Sequence, residues 1–256
     1  MATRAIEYSN TAVGTLADLV SRGIAPNSDW TSMTGTDHFV QFYESDGSIV
    51  SSVAEWLVHG LKTGETCVIA ATRRHTDAIE RVARDFGMDI DAAWTKGLYI
   101  PLDAEETLAK FMVDGMPDEK LFKEVISTVV QAATVRGRVR IFGEMVAVLL
   151  AEGNPEASLK LEDLWNELRA QTPFSLFCAY PMTGMSTSGR DNFMAEVCHG
   201  HSRVIPDETY TSLTTADERL RAIAFLQHRG RQLEAEIAEM ERRISDRQDM
   251  TEDFAS

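Results

Sequence analysis

The 256 residues carry 40 aspartates and glutamates against 25 lysines and arginines, a formal charge of −15, which argues against direct binding to nucleic acid or anionic membrane, because phosphate surfaces are held by clustered Lys and Arg. Three cysteines with no CxxC pair in a chain of this size point to a reducing compartment. No run approaches the roughly 18 apolar residues of a membrane span, and the N-terminal MATRAIEYSNTAVGTLADLV lacks the continuous apolar stretch of a signal peptide, so a cytoplasmic protein is expected, long enough for one domain of about 200 residues plus an extension.

In chain order, residues 1–35 are polar and small, with loop signals at Pro26-Asn27-Ser28-Asp29, and read as a flexible arm carrying a short helix around Thr11 to Arg22. His38 to Tyr43, rich in β-branched and aromatic residues, reads as the first strand. Glu44-Ser45-Asp46-Gly47-Ser48 supplies turn and N-cap chemistry, and Ile49, Val50, Val53, Trp56, Leu57 and Leu61 then recur at helical spacing. After Gly60 and Gly64, Cys67-Val68-Ile69-Ala70-Ala71 is a short apolar run of the kind buried on both faces of a parallel sheet.

The spacing next predicts a helix over Thr76 to Phe86 closed by Gly87, a short strand at Leu98-Tyr99-Ile100 stopping before Pro101, and helices over Ala104 to Val113 and Asp118 to Arg136. Val139 to Phe142 reads as a buried strand that passes through Gly143-Glu144 into a helix reaching Leu150. Gly153-Asn154-Pro155 breaks that helix, Ala157 to Arg169 resumes it, and Pro173 introduces a strand from Phe174 to Tyr180. Strands alternating with helices imply an α/β fold: a mainly parallel sheet in the middle of three layers, joined by right-handed crossovers. This core is expected over 36–212.

Beyond Thr211 the composition changes. Residues 213–248 contain no Pro and a single glycine, Gly230, and read as one long helix. Ile223, Leu226, Leu233, Ile237, Met240 and Ile244 follow a three-four spacing that fits about three heptads of coiled coil, with Gly230 and Arg247 as imperfect seam positions. Such a helix needs a partner for its apolar stripe: a second copy of the chain, the chain's own core, or another protein. Residues 249–256 are expected to be a disordered tail, and no output segment is expected before the sequence ends at Ser256.

In an open α/β sheet the ligand sits beyond the carboxyl ends of the strands. That rule gathers Tyr43, Glu44 and Asp46 after the first strand, Thr72, Arg73, Arg74 and His75 after the second, Glu144 after the third major strand, and Tyr180 after the last. Acids, a basic cluster and two phenols could bind a small polar or zwitterionic molecule; alternatively Arg73 and Arg74 pair with Glu44, Asp46 or Glu144 and close the edge. A phosphate-binding loop would need G-x-x-x-x-G-K-[ST] in the first turn, where this chain has Glu44 and Asp46 instead. Glu144 has no second acid beside it and there is no phosphate-loop lysine, so a catalytic ATPase, and enzymatic activity generally, is not expected. Ser48, Ser51 and Ser52 read as first-turn residues of a helix, and no nucleophile elbow is present. Cys198, His199 and His201 are the one sequence cluster of soft metal ligands, on a strand or loop edge; no metal is expected there by default, because a structural zinc site wants four ligands in recognisable pairs. Cys67 and Cys178 read as core, and His38 and His75 as ligands only where the fold brings them together.

The ordered blocks HFVQFYESD, GLKTGE, CVIAATRRH, RIFGEMVAVLLAEGNPEASLKLEDLWNEL, PFSLFCAYPM and HSRVIP resemble the MEDS domain, the sensory domain named after methanogens, methylotrophs and the DcmR regulator. The resemblance covers about residues 36–210. It implies a RecA-like layout without the phosphate-binding loop, and a ligand-binding module of bacterial transcription regulators and sensor kinases that responds to small organic molecules. The expectation is a signalling protein that binds an unidentified small molecule at the strand ends, with no known cofactor, and signals through a homodimeric or docking C-terminal helix to a sensor kinase or transcription regulator. Two alternatives stand beside it: an adaptor with a vestigial pocket, and a degenerate RecA-like nucleotide-binding protein.

Overall fold

His38–Tyr43 forms strand β1 over the residues its composition predicts, and all six side chains are buried. The computed structural model describes residues 35–183 and 192–253. The N-terminal arm and its helix, Gly35 apart, lie outside the described residues, as do the last three residues of the expected tail. The chain forms two units, one ending at Glu208 and one beginning at Thr209.

In the first unit β1 leads into α1 (Asp46–Lys62), capped by Ser45, whose side chain accepts from the Ser48 N–H. Strand β2 (Thr66–Ala71) follows, then α2 (Arg73–Asp85), α3 (Ile90–Thr95), β3 (Tyr99–Asp103) and α4 (Ala104–Leu108). A two-stranded hairpin, β4 (Met112–Val113) and β5 (Met116–Pro117), precedes α5 (Glu119–Thr134), β6 (Val139–Gly143), α6 (Met145–Ala151), α7 (Pro155–Gln171) and β7 (Ser175–Pro181). Helix α8 (Phe193–Gly200) and β8 (Arg203–Ile205) complete the series, and the one-turn α9 (Glu208–Thr211) begins at the last residue of this unit. Six strands form one sheet in the order β3-β2-β6-β7-β1-β8, and every neighbouring pair is parallel.

This is the three-layer α/β fold expected. On one face α1, α2 and α3 cover Phe39, Cys67, Ile69, Phe142 and Phe177, with Trp56 edge-on to Phe177 at 5.6 Å. On the other, α4 to α8 cover Val40, Phe42, Val68, Ile141 and Leu176, and Phe122 stands edge-on to Trp165 at 5.2 Å. Each such fully buried large side chain stabilises the fold by about 1.5–3 kcal/mol.

Local departures from the sequence reading have identifiable causes. Helix α2 starts at Arg73 rather than Thr76, because Thr72 is already the N-cap and its carbonyl accepts from the Thr76 N–H at 2.8 Å. Strand β3 runs through Pro101, which is tolerated because β3 is the sheet edge and its outer N–H needs no ladder partner. The helix expected to reach Val113 ends at Leu108, and Asp114-Gly115, both with positive φ (49° and 79°), turn the β4–β5 hairpin, the Asp-Gly signature of a two-residue loop. Helix α3 and strand β8 are too short to leave a periodicity.

A buried ion pair lies at the other end of the strands. Arg140 on β6 donates to Glu65, Arg138 reaches the same carboxylate at 2.7 Å, and the Arg140 guanidinium lies 5.5 Å from the centre of the Trp56 ring. Gly60 of α1 passes so close that a Cβ there would lie 2.7 Å from Cys67 Sγ and 2.9 Å from Arg140 Cδ.

The second unit contains α10 (Ala216–Asp253). Thr215 and Glu218 cap it reciprocally: the Thr215 N–H donates to Glu218 Oε2 at 2.9 Å and the Glu218 N–H to Thr215 Oγ1 at 3.2 Å, a capping box. The helix passes the expected end at 248 and reaches Asp253, with no Gly or Pro in residues 249–253 to stop it. Leu226, Leu233, Ile237, Met240 and Ile244 are 43–61 % exposed.

Candidate functional site

Because β1, β2 and β6 are parallel, the residues following them emerge at one edge of the sheet. Glu144, after β6, is buried and held from two sides. Its Oε2 accepts the Thr72 backbone N–H at 2.8 Å and the Thr72 hydroxyl at 3.2 Å, and its Oε1 lies 2.6 Å from His75 Nδ1. The other imidazole nitrogen lies 3.7 Å from Asp46 Oδ1, and Arg74 binds the second Asp46 oxygen at 2.7 Å. A line of side chains, Glu144–His75–Asp46–Arg74, therefore joins the ends of β6, β2 and β1, and its charges alternate when His75 is protonated. The hydrogen bond to Glu144 raises the His75 pKa above its ordinary value, against the opposing effect of burial. Burial first, and then the charges of Glu144 and Asp46, push the Tyr43 phenol up, so Tyr43 remains protonated.

Beside this line lies a cleft of about 310 Å³ whose walls include Tyr43, Thr72, Glu105, Glu144, Glu152 and Pro181. Among the described residues no lysine or arginine lines it. Tyr43, Asp46, Thr72, His75 and Glu144 thus come together as the strand-end rule predicts, with Tyr43, Thr72 and Glu144 on the cleft itself.

Glu44, Arg73 and Tyr180 do not join them. The Glu44 side chain is exposed. Arg73 lines a separate cleft of about 290 Å³ with Thr76, Asp77, Glu80 and Asp103, because its place in the first turn of α2 turns it toward β3. Tyr180 is fully buried: strand alternation puts it on the same face as Leu176 and Cys178, where its hydroxyl bonds Glu162 Oε1 at 2.9 Å and Ser158 at 3.0 Å. One participant was not foreseen. Glu208 accepts the backbone N–H groups of Glu44 at 3.0 Å and Ser45 at 2.7 Å, and these donors, outweighing burial, hold its carboxyl down at about 2.

A scan against protein-family models matches residues 37–201 to MEDS, described as the MEthanogen/methylotroph, DcmR Sensory domain. The chain belongs to this family. It is a sensory domain, and the match runs from the residue before β1 to His201, just after α8, so it contains the whole Glu144–His75–Asp46–Arg74 line and stops short of Glu208 and α10. A search of the curated proteins found no match.

The interior of the MEDS domain holds a second polar cluster, on the face covered by α7 and α8. His38 of β1, Glu162 of α7, Cys178 of β7 and His201 after α8 are all buried, and one ligand atom from each lies within 4.8 Å of the others. His38 Nε2 is 3.3 Å from Glu162 Oε2 and 3.4 Å from Cys178 Sγ; Cys178 Sγ is 3.5 Å from Glu162 Oε2, and His201 Nε2 is 3.5 Å from Glu162 Oε1. Burial lowers the His38 pKa, while the adjoining Glu162 raises that of His201 although burial opposes it. The two imidazoles hold Glu162 well below the usual carboxylate range against the effect of burial, and burial together with Glu162 pushes the Cys178 thiol up. Of Cys198, His199 and His201, the soft-ligand cluster at which no metal was expected by default, only His201 reaches this group. Cys198 and His199 lie on α8, where His199 is exposed, since consecutive helical residues cannot all face one point.

Proposed function

We propose that this MEDS domain senses a small organic molecule carrying an amine or comparable hydrogen-bond donors, bound in the strand-end cleft, and passes the bound state on through α10. The observation that carries the reading is the cleft's lining: among the described residues Glu105, Glu144 and Glu152 line it and no lysine or arginine does, so a positively charged or donor-rich ligand is favoured and a phosphate disfavoured. Glu144 is held in place by Thr72 and His75, which spares a ligand the cost of ordering it. The protein acts by binding rather than catalysis in this reading. In its β1–α1 turn, where a nucleotide-binding protein would receive phosphate, the N–H groups of Glu44 and Ser45 are engaged by Glu208, which counts against the nucleotide alternative.

Signalling follows from differential affinity: a ligand that binds one arrangement of the edge more tightly shifts the population toward it. The apolar stripe of α10, exposed in the single chain, supports pairing with a second copy and docking to a sensor kinase or transcription regulator. A cytoplasmic setting belongs to the same proposal and is supported by the free thiols of Cys67, Cys178 and Cys198. Among the described residues no helix is long and apolar enough to cross a membrane.

The test is native mass spectrometry of the purified full chain, followed by a thermal-shift panel of small amines, amino acids and neutral polar organics. A retained or stabilising compound whose effect disappears in Glu144→Gln and persists in Arg73→Ala supports the cleft. A compound that ignores Glu144→Gln but depends on Arg73 would move the site to the neighbouring cleft, and a panel without effect on the wild-type chain would favour the adaptor reading.

A further inference from the structure

We propose that His38, Glu162, Cys178 and His201 form a buried four-ligand site for a divalent transition-metal ion, with Zn2+ the ion that best fits the donor set. Two imidazole nitrogens, a thiolate and a carboxylate are donors of borderline softness, and four protein ligands with no open position make a structural rather than a catalytic centre.

The geometry supports this at three levels. First, His38 Nε2, Cys178 Sγ and Glu162 Oε2 lie 3.3–3.5 Å from one another, close to the edges of about 3.3–3.6 Å expected for a tetrahedron with metal bonds of about 2.0–2.3 Å, and His201 Nε2 lies 3.5 Å from the other carboxylate oxygen, Oε1, with one ligand atom of each residue within 4.8 Å of the others.

Second, both histidines are oriented as ligands by their outer nitrogens. His201 Nδ1 lies 2.6 Å from the Val197 carbonyl, which can only accept, so Nδ1 carries the hydrogen and the Nε2 lone pair faces the cluster. His38 Nδ1 lies 2.9 Å from Asn166 Oδ1; the Asn166 amide is itself oriented, because its Nδ2 donates to the Gly200 carbonyl at 3.3 Å and Arg169 donates to its Oδ1 at 3.1 Å. His38 Nε2 therefore also presents its lone pair. Such outer partners are the usual support of a metal-binding histidine. The Glu162 carboxylate is steadied in the same way by the Tyr180 hydroxyl.

Third, His201 Nε2 is buried without a hydrogen-bond partner and lies 3.5 Å from a Glu162 oxygen, and an orphaned acceptor facing a carboxylate is costly unless a cation lies between them. Charge closes the argument: one dication with one thiolate and one carboxylate makes a neutral buried site. Binding forms the metal–sulfur bond as the Cys178 thiol releases its proton, together with any proton held on the imidazoles, so affinity rises with pH. The ion ties β1, β7, α7 and the segment after α8 together, contacts separated by up to 164 residues in the neighbouring Ser202–His38 pair.

The experiment uses the full chain. Metal content is measured after purification without chelator, and the chelator-treated protein is then titrated with Co2+. About one ion per chain is expected, with the intense visible bands of tetrahedral Co2+ and a thiolate-to-cobalt charge-transfer band, both removed by Zn2+. Cys178→Ser should lose the charge-transfer band, and Asn166→Ala should weaken binding about 10- to 100-fold by freeing the His38 ring. His199→Ala should change nothing. Weak octahedral Co2+ spectra, no stoichiometric uptake by the wild-type chain, or binding lost in His199→Ala but retained in Cys178→Ser would overturn the site. The wild-type spectra decide the matter even if a variant does not fold.

Discussion

His75 Nδ1 lies 2.6 Å from Glu144 Oε1 although 69 residues separate them, and the bond joins the first turn of α2 to the end of β6. The pair predicts a pH dependence. Its folded-state pKa is raised above the ordinary histidine value of about 6.5. Its contribution to stability is therefore full below about pH 6.5 and is lost as pH rises through the folded value. An NMR titration should place His75 above its ordinary value in the wild type and lower in Glu144→Gln; the same value in both would remove Glu144 as the cause.

Glu208 makes the opposite prediction. Its pKa is depressed to about 2, so its contribution is present above about pH 4.3 and lost as pH falls toward 2. Glu208→Gln should cost about 1 kcal/mol near neutrality, a modest figure because the side chain is partly exposed. Amide exchange at Glu44 and Ser45 should quicken, and protection unchanged at both would show that the contact carries no weight.

Gly60→Ala sets two effects against each other. In the last turn of α1 an alanine gains at most about 1 kcal/mol of propensity, but the new Cβ would lie within 3 Å of Cys67 Sγ and Arg140 Cδ. Both neighbours are buried, and Arg140 is held by Glu65. Overpacking of this kind costs about 1–3 kcal/mol, so urea denaturation should show a net loss. An increase in stability would mean that the seam between α1 and β6 yields freely.

On α10, Ile237→Glu places a charge in the middle of the apolar stripe. Sedimentation should show the association of the full chain weakened, with the circular dichroism of the α/β core unchanged. Equal association in the variant and the wild type would assign the stripe to another partner.

Much of the fold was legible because its signals are local. The apolar runs at Val139 and Cys67, and the caps at Ser45 and Asp118, lie within a few residues of what they determine. The Asp114-Gly115 turn was equally legible, but the helical spacing before it masked it. The strand-end group was partly legible, since in a parallel sheet strand ends converge whatever their order. Which way a side chain faces there was less so: Tyr180 follows the phase of Leu176 and Cys178 into the core, and Arg73 depends on where α2 begins.

The sequence by itself determined the α/β class, the long amphipathic C-terminal helix, the absence of a phosphate-binding loop and the resemblance to the MEDS family, because each is written in neighbouring residues or in the order of blocks. Only the tertiary structure decided that His38, Glu162, Cys178 and His201 meet, and that Glu208 caps the turn after β1. These contacts join residues up to 164 positions apart, and no periodicity or spacing records a meeting that exists only once the sheet order has brought β1 beside β7 and β8.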